Sequence, residues 1–226
     1  MINHLDDKVS MTAQMDYGKF KILRLDCDFY KKPCIDLAKS LLGKTLVRNI
    51  DGLRISGKIV ETEAYLGIID KASHSYKNKL TLRNEPMFMS PGTCYVYQIY
   101  GVYYCLNISS IEKGAAILIR ALEPLECIDY QLELRSKMKK GRKKITKQIH
   151  ISNGPSKLCQ AMYIEKEGIN KENLIFSDKI WIEDNHIIIK NEDIVCRTRI
   201  GITYAEEWAN KLLRFYIKGN KNISVN

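Results

Sequence analysis

No stretch of the 226-residue chain approaches the roughly 18 apolar residues that a membrane span requires, and the N-terminus lacks the apolar core of a secretion signal. The chain is therefore expected to be soluble and intracellular, cytoplasmic beside the nucleoid in a bacterium or nuclear in a eukaryote, with no membrane partner. Cys-x-x-Cys pairs are missing as well. Seven cysteines stand apart (Cys27, Cys34, Cys94, Cys105, Cys127, Cys159, Cys196), and their number is odd. This argues against a disulfide framework or a zinc site and for reduced thiols packed as small hydrophobes. Histidine is scarce: four residues, dispersed, offer no metal-ligand spacing. Neither a metal nor another cofactor is expected. Internal repeats and low-complexity linkers are lacking, apart from one basic run at 137–147. The length favours one domain over 21–226, with the polar, aperiodic residues 1–20 as a flexible leader.

Acidic residues are also in short supply. Lys plus Arg number 36 against 26 Asp plus Glu, a net charge of +10, and the isoelectric point is near 9.2. Polyanions are the favoured partners, nucleic acid ahead of membrane surfaces. Charge alone does not decide this, because many lysine-rich proteins are merely basic.

What is present reads as an α+β architecture. Residues 28–42 carry apolar side chains at helical spacing, with Pro33 near the first turn and Gly43 past the end, and predict one helix. Two strands follow, KTLVRNI and GLRISGKIVETEAY, joined at Asp51-Gly52, a strong hairpin signal. TCYVYQI and VYYCLNIS form a second pair meeting at Tyr100-Gly101, and AAILIRAL is a short apolar strand. Helices are expected from Leu125 to about residue 140 and from Ser156 to about Met162. Short strands KIWIE, HIIIK and LRFYIKG surround a YAEEWANKL helix near the C-terminus. The expected whole is a single mixed domain with a curved antiparallel sheet, flanking helices and a protruding hairpin.

Alternation along 53–65 places Leu53, Ile55, Ile59, Glu61, Glu63 and Tyr65 on one face. Two carboxylates thus share the more apolar face, about 7 Å apart, a spacing suited to general-base work in a dry site. The competing reading is a strand end facing solvent, or a glutamate paired with Arg120 or another cation. Further on, CYVYQIYGVYY (94–104) holds five tyrosines. Tyr95 and Tyr97 share a strand face and are compatible with plain core packing. Tyr100 fits that reading badly, since a large aromatic beside a turn glycine projects into solvent; on a basic protein it suits a wedge entering a base stack. The run KMKKGRKKITK (137–147) has seven cations and no acid, either a solvated helix end or a set of phosphate contacts. Lys157 lies in the first turn of the helix opened by Asn153-Gly154-Pro155, whose N–H groups suit a phosphate, although Ser156 also reads as an ordinary cap. His74, at the end of a polar loop, is by itself more often a satisfied histidine than a catalytic one.

The blocks VETEAYLG (60–67), AxH (72–74), RNxxMFMxPGTxYVYxIYGxYYCxNIS (83–109), IRALEPLE (119–126), GPSKLCQA (154–161) and LRFYIKG (213–219) together resemble the alkyladenine (3-methylpurine) DNA glycosylases, across nearly all of 29–225. The resemblance implies a monofunctional glycosylase that flips a damaged purine out of duplex DNA and acts as a monomer. The damaged purines implied are 3-methyladenine, 7-methylguanine, hypoxanthine and ethenoadenine. Glu63 matches the general base that activates water for attack on C1′. Tyr65, His74 and Tyr97 match the residues that sandwich and contact the flipped base, and Tyr100 the side chain that intercalates into the vacated gap. Asn107 matches the pocket-floor residue whose bulk disfavours the 2-amino group of guanine, and Arg120 a cation near the catalytic site. Lys79, Arg83 and Lys157 match backbone-contacting positions, with Lys79 standing where the family often has arginine. Two other classes compete: a nucleic-acid-binding module without activity, and a sugar glycosidase working through Glu61 and Glu63 as paired carboxylates.

Overall fold

The computed structural model describes residues 23–137, 145 and 147–225. The expected leader at 1–20 and most of the basic run fall outside them.

Among the described residues nine strands build one antiparallel sheet: β1 (Leu23–Arg24), β2 (Thr45–Ile50), β3 (Leu53–Tyr65), β4 (Cys94–Ile99), β5 (Tyr103–Ser109), β6 (Ala116–Glu126), β7 (Ile180–Asp184), β8 (Ile194–Arg197) and β9 (Arg214–Ile217). The main path runs β1-β7-β2-β3-β6-β5-β4. At 13 residues β3 is the spine. One of its edges is taken by β6; the other is divided, with β2 on its first half and β9 on its second, and β8 pairs with β9. Both anticipated hairpins form. Their central residues lie in the left-handed region, Asp51 and Gly52 at φ 49° and 87°, Tyr100 and Gly101 at 51° and 71°, the backbone that matches the right-handed twist of the flanking strands.

Five α-helices among the described residues accompany the sheet: α1 (Cys27–Tyr30), α2 (Cys34–Ser40), α3 (Ile128–Lys137), α4 (Pro155–Ala161) and α5 (Lys166–Ile169). The single helix expected at 28–42 is in fact two. Asp26 caps α1 through the Phe29 N–H (3.1 Å), and Pro33, which restricts the residue before it, sits at the cap of α2. The Glu112 carboxylate takes the first N–H of α2, at Cys34. Leu37, Leu41, Leu46, Ile59, Leu106 and Phe215, all essentially inaccessible, belong to the main core. Cutting one of those leucines to alanine would cost about 2–5 kcal/mol.

Other expectations shift. β6 continues to Glu126, so α3 begins at Ile128 rather than at Leu125. HIIIK forms no strand, and Ile194–Arg197, not anticipated, does. The YAEEWANKL segment is a kinked 3₁₀ stretch over Thr203–Asn210, with Glu206 at φ 51°. Cys27 and Cys127 are exposed rather than packed.

The most consequential departure lies within β3. Its pairing with β6 slips between Ile59 and Glu61, where Ile59 faces Leu122 and Glu61 faces Ala121. Val60 is the extra residue of a bulge, and a bulge reverses which face later side chains occupy. Ile55 and Ile59 therefore join the main core, Val60 packs with Ala121 and Tyr216 in a separate cluster, and Thr62 and Ala64 turn back to the main core side. Glu61 and Glu63 do not share the face of Ile55 and Ile59; the bulge aims them at the opposite one.

Candidate active site

That opposite face opens into a cavity of about 260 Å³. It is lined by Tyr65 from β3, Tyr95, Tyr97 and Ile99 from β4, Cys105 and Asn107 from β5, and Leu118 and Arg120 from β6. Loop residues Ala72, His74 and Met87, Tyr100 at the hairpin tip, Pro155, and the segment Ile200, Gly201, Ile202 and Tyr204 complete it. Sheet twist and strand alternation account for the aromatic wall, since every second residue of β4 points one way.

Tyr95 and Tyr97 lie with ring centroids 5.2 Å apart, and the imidazole of His74 stands edge-on to Tyr97 at 4.7 Å. His74 Nδ1 is 2.9 Å from the Tyr95 hydroxyl. Although His74 retains an exposed surface, its ring is hemmed in by these aromatics. Desolvation first, and the Arg83 cation second, lower its pKa from 6.5 to about 4, so the ring is neutral near pH 7. Burial pushes the Tyr95 phenol up to about 12 and the Cys105 thiol up to about 11, and raises Tyr65 and Tyr97 well above the usual tyrosine range. The cavity thus holds neutral phenols and a neutral thiol. Asn107 is held by donating its side-chain N–H to the Tyr95 carbonyl (3.1 Å).

Glu63 is fully buried behind the wall. Its Oε1 accepts the backbone N–H of Ile200 (2.8 Å) and faces Arg120 Nη1 at 3.1 Å, and its Oε2 accepts the Tyr65 hydroxyl (2.9 Å). All three partners line the cavity. A carboxylate has about four acceptor sites, so these donors leave room for one further donor, such as a water. Glu61 is placed differently. It receives Arg120 Nε (3.2 Å), Arg214 Nη1 (2.9 Å), Ser224 Oγ (2.9 Å) and the Ser224 N–H (2.5 Å). Neither glutamate itself lines the cavity, and of the Glu61 partners only Arg120 does. The glutamates are therefore not a bare like-charged pair, because Arg120 bridges them. Burial opposes the Arg120 charge, yet the attraction of Glu63 and Glu61 prevails and its pKa is raised.

Of the remaining candidates Tyr100, Lys79, Arg83 and Lys157, only Tyr100 is among the residues lining the cavity. Tyr100 is 89% exposed, which an ordinary packed residue would not be. Arg83 is exposed, but its guanidinium sits 5.2 Å from the Tyr97 ring centre. Lys79 is exposed on the loop after His74, and its carbonyl accepts the Asn84 amide. Lys157 donates to the Asn153 side chain (2.8 Å). Ser156 is not the helix cap: that position is Gly154, at φ 156°, without a side-chain cap bond.

Sequence reasoning missed the Ile200–Tyr204 wall and the buried Asp70–Arg199 pair beneath it. Nothing in local periodicity marks a loop that meets β3 across 137 residues. Among the described residues no group of His, Cys, Asp and Glu is arranged to hold a metal ion, and no helix is long and apolar enough to cross a membrane.

Comparison with known proteins gives a consistent result. Residues 28–221 match the family model described as methylpurine-DNA glycosylase. A Clostridium perfringens (strain 13 / Type A) protein named as a 3-methyladenine DNA glycosylase is 52% identical over 204 residues, covering 89% of this chain and 99% of its own length. Human DNA-3-methyladenine glycosylase is 44% identical over 209 residues, 92% of this chain and 70% of its own. A protein of Encephalitozoon cuniculi (strain GB-M1) carrying the same enzyme name is 51% identical over 192 residues, 85% of this chain and 88% of its own.

Proposed function

Since the chain belongs to the methylpurine-DNA glycosylase family, as a hydrolase of N-glycosyl bonds acting in DNA repair, we propose that it flips an alkylated or deaminated purine into the cavity and cuts it free with a water activated by Glu63. The observation that carries this reading is the placement of Glu63: buried, held by three cavity-lining groups, and adjoining an aromatic chamber. The purine enters between Tyr65 and the His74–Tyr97 side, over Asn107. A base alkylated at N3 or N7 is cationic, and electron-rich tyrosine faces attract it; a neutral His74 adds no repulsion.

In the reaction, water gives a proton to Glu63 as its oxygen bonds to C1′, while the C1′–N9 bond breaks and its electron pair leaves with the purine. A cationic base departs neutral; a neutral one such as hypoxanthine must gain a proton. The products are an abasic site and the free base. No lysine is among the described cavity-lining residues, which supports simple hydrolysis without a Schiff base. The saturated, withdrawn Glu61 weighs against a two-carboxylate sugar hydrolase. Tyr100 fills the duplex gap, and Lys79, Arg83 and Lys157 face the DNA backbone.

The test is Glu63→Gln in single-turnover excision from a duplex holding one hypoxanthine or one 7-methylguanine. The expected result is retained lesion binding with a rate reduced roughly 10²- to 10⁴-fold. A rate close to that of the unmodified enzyme would sink the assignment.

A further inference from the structure

A further buried ion pair, apart from those of Glu61 and Glu63, adjoins the segments that hold Glu63 without lining the cavity. The side chains of Arg199 and Asp70 are both fully buried, and they meet as a fork: Arg199 Nη1 donates to Asp70 Oδ2 at 2.5 Å and Nη2 to Oδ1 at 2.9 Å. Neither lines the cavity. Their remaining bonds reach the backbone of the segments next to Glu63, at Ala64, Leu66 and Ala72, and that of Trp208. Asp70 accepts the N–H groups of Leu66 (2.9 Å) and Ala72 (3.0 Å), which shapes the loop leading from Tyr65 to His74. Arg199 Nη1 also donates to the Ala64 carbonyl (3.0 Å), one residue from Glu63. The guanidinium carbon lies 4.6 Å from the Tyr65 ring centre. The next residue along the chain, Ile200, gives its N–H to Glu63 Oε1.

Stability is a poor explanation for this pair. Taking two charges out of water is expensive, and well-packed apolar side chains of similar volume often hold a core as well or better. Arg199 Nε, moreover, is buried without a hydrogen-bond partner. What a forked ion pair does that apolar packing cannot is fix directions, and the groups it fixes carry two of the three donors on Glu63: the Tyr65 hydroxyl and the Ile200 N–H.

We infer that Asp70 and Arg199 are positioning residues for the hydrolysis, holding Tyr65 and Ile200 so that the remaining acceptor site of Glu63 is aimed at the attacking water. This inference rests on Glu63 being the base, as proposed above.

The experiment compares the full-length protein with Asp70→Asn, Arg199→Lys and the apolar double variant Asp70→Leu/Arg199→Met. Three quantities are read well below the melting temperature: the single-turnover excision rate, the Kd for the lesion duplex, and the Ile200 amide resonance by NMR. Misaimed catalytic groups cost on the order of 100-fold, so excision of the bound lesion should slow by about 10- to 100-fold, well beyond any loss of duplex affinity. The Ile200 amide should move away from its carboxylate-bonded position. Lysine keeps the charge but not the fork, so Arg199→Lys should be slow too. The double variant should melt cooperatively and still be slow, which a purely structural role does not predict. Should the double variant fail to fold, Asp70→Asn, which keeps the shape, and Arg199→Lys carry the test. Excision within about twofold of the unmodified rate in any folded variant, or an unmoved Ile200 amide, overturns the inference. Glu63→Gln, run alongside, separates the two readings: if it is slow while the pair variants are fast, the positioning role alone falls, and if it is fast, the base assignment falls first.

Discussion

Tyr100 sits where a folded protein gains little from a tyrosine. Its side chain is 89% exposed, and its backbone is at φ 51° beside Gly101 at 71°. Asparagine and glycine suit that conformation; holding another residue in it costs roughly 1–3 kcal/mol. Burial offsets almost none of this. Tyr100→Asn should therefore make the free protein more stable, by up to that strain of about 1–3 kcal/mol. At about 2–4 °C per kcal/mol for a chain of this size, the melting temperature should rise by a few degrees. On DNA the sign reverses. A ring stacked on neighbouring bases contributes about 1–3 kcal/mol per base, so its loss should weaken binding to a lesion-bearing duplex by roughly 5- to 150-fold, at 1.4 kcal/mol per factor of ten. Tyr100→Ala, which loses the ring without relieving the backbone, should show the same binding defect with no gain in stability. The assay pairs thermal melting of the free proteins with the flipping equilibrium of an ethenoadenine duplex, followed by fluorescence. Excision from single strands, where there is little stack to refill, serves as the control. Duplex flipping at its unmodified level in both variants would refute the wedge, and a loss of stability in Tyr100→Asn would refute the strain argument.

Glu61→Gln should act mainly on the fold: the carboxylate serves two arginines and Ser224, and unpairing buried charges costs about 3–5 kcal/mol, so a urea midpoint near that of the unmodified protein would count against this. The depressed pKa of His74 means that the unfolded chain takes up a proton below about 6.5 while the folded one does not until about 4. Its contribution is present above that window and is lost as pH falls through it; denaturation curves of the unmodified protein and His74→Gln should accordingly diverge between pH 6.5 and 4 and run parallel above, and parallel curves throughout would reject the shift. Affinity for undamaged duplex should fall steeply with salt, and neutralising Lys139, Lys140, Lys143 and Lys144 should flatten the log–log slope by about 0.9 per lost phosphate contact without changing lesion preference; an unchanged slope would take those lysines out of the interface.

Much of this protein is written locally. The two hairpins follow from Asp51-Gly52 and Tyr100-Gly101, because turn backbone is dictated by the residues that occupy it. Alternation along 94–99 is sufficient to put Tyr95 and Tyr97 side by side. Pro33 shows how a local signal can be present and underweighted: it divides a helical apolar pattern into two helices, since proline restricts the backbone before it.

The sequence by itself determined the strand-rich α+β class, the aromatic wall, the exposed Tyr100 at its turn and the blocks that mark the family, all of which depend on residues close together in the chain. Only the tertiary structure decided that Glu61 and Glu63 leave the face of Ile55 and Ile59, and that Glu63 is the one held by three cavity-lining groups. One extra residue, Val60, turns the second half of β3 over, and a period-two pattern carries no sign of a bulge whose position is set by the partner strand. Likewise Arg120 bridges the two carboxylates, and the Ile200 N–H reaches Glu63, from 57 residues (120 − 63) and 137 residues away. Such contacts arise from how β6 and a distant loop pack against β3, a long-range arrangement that no local periodicity encodes.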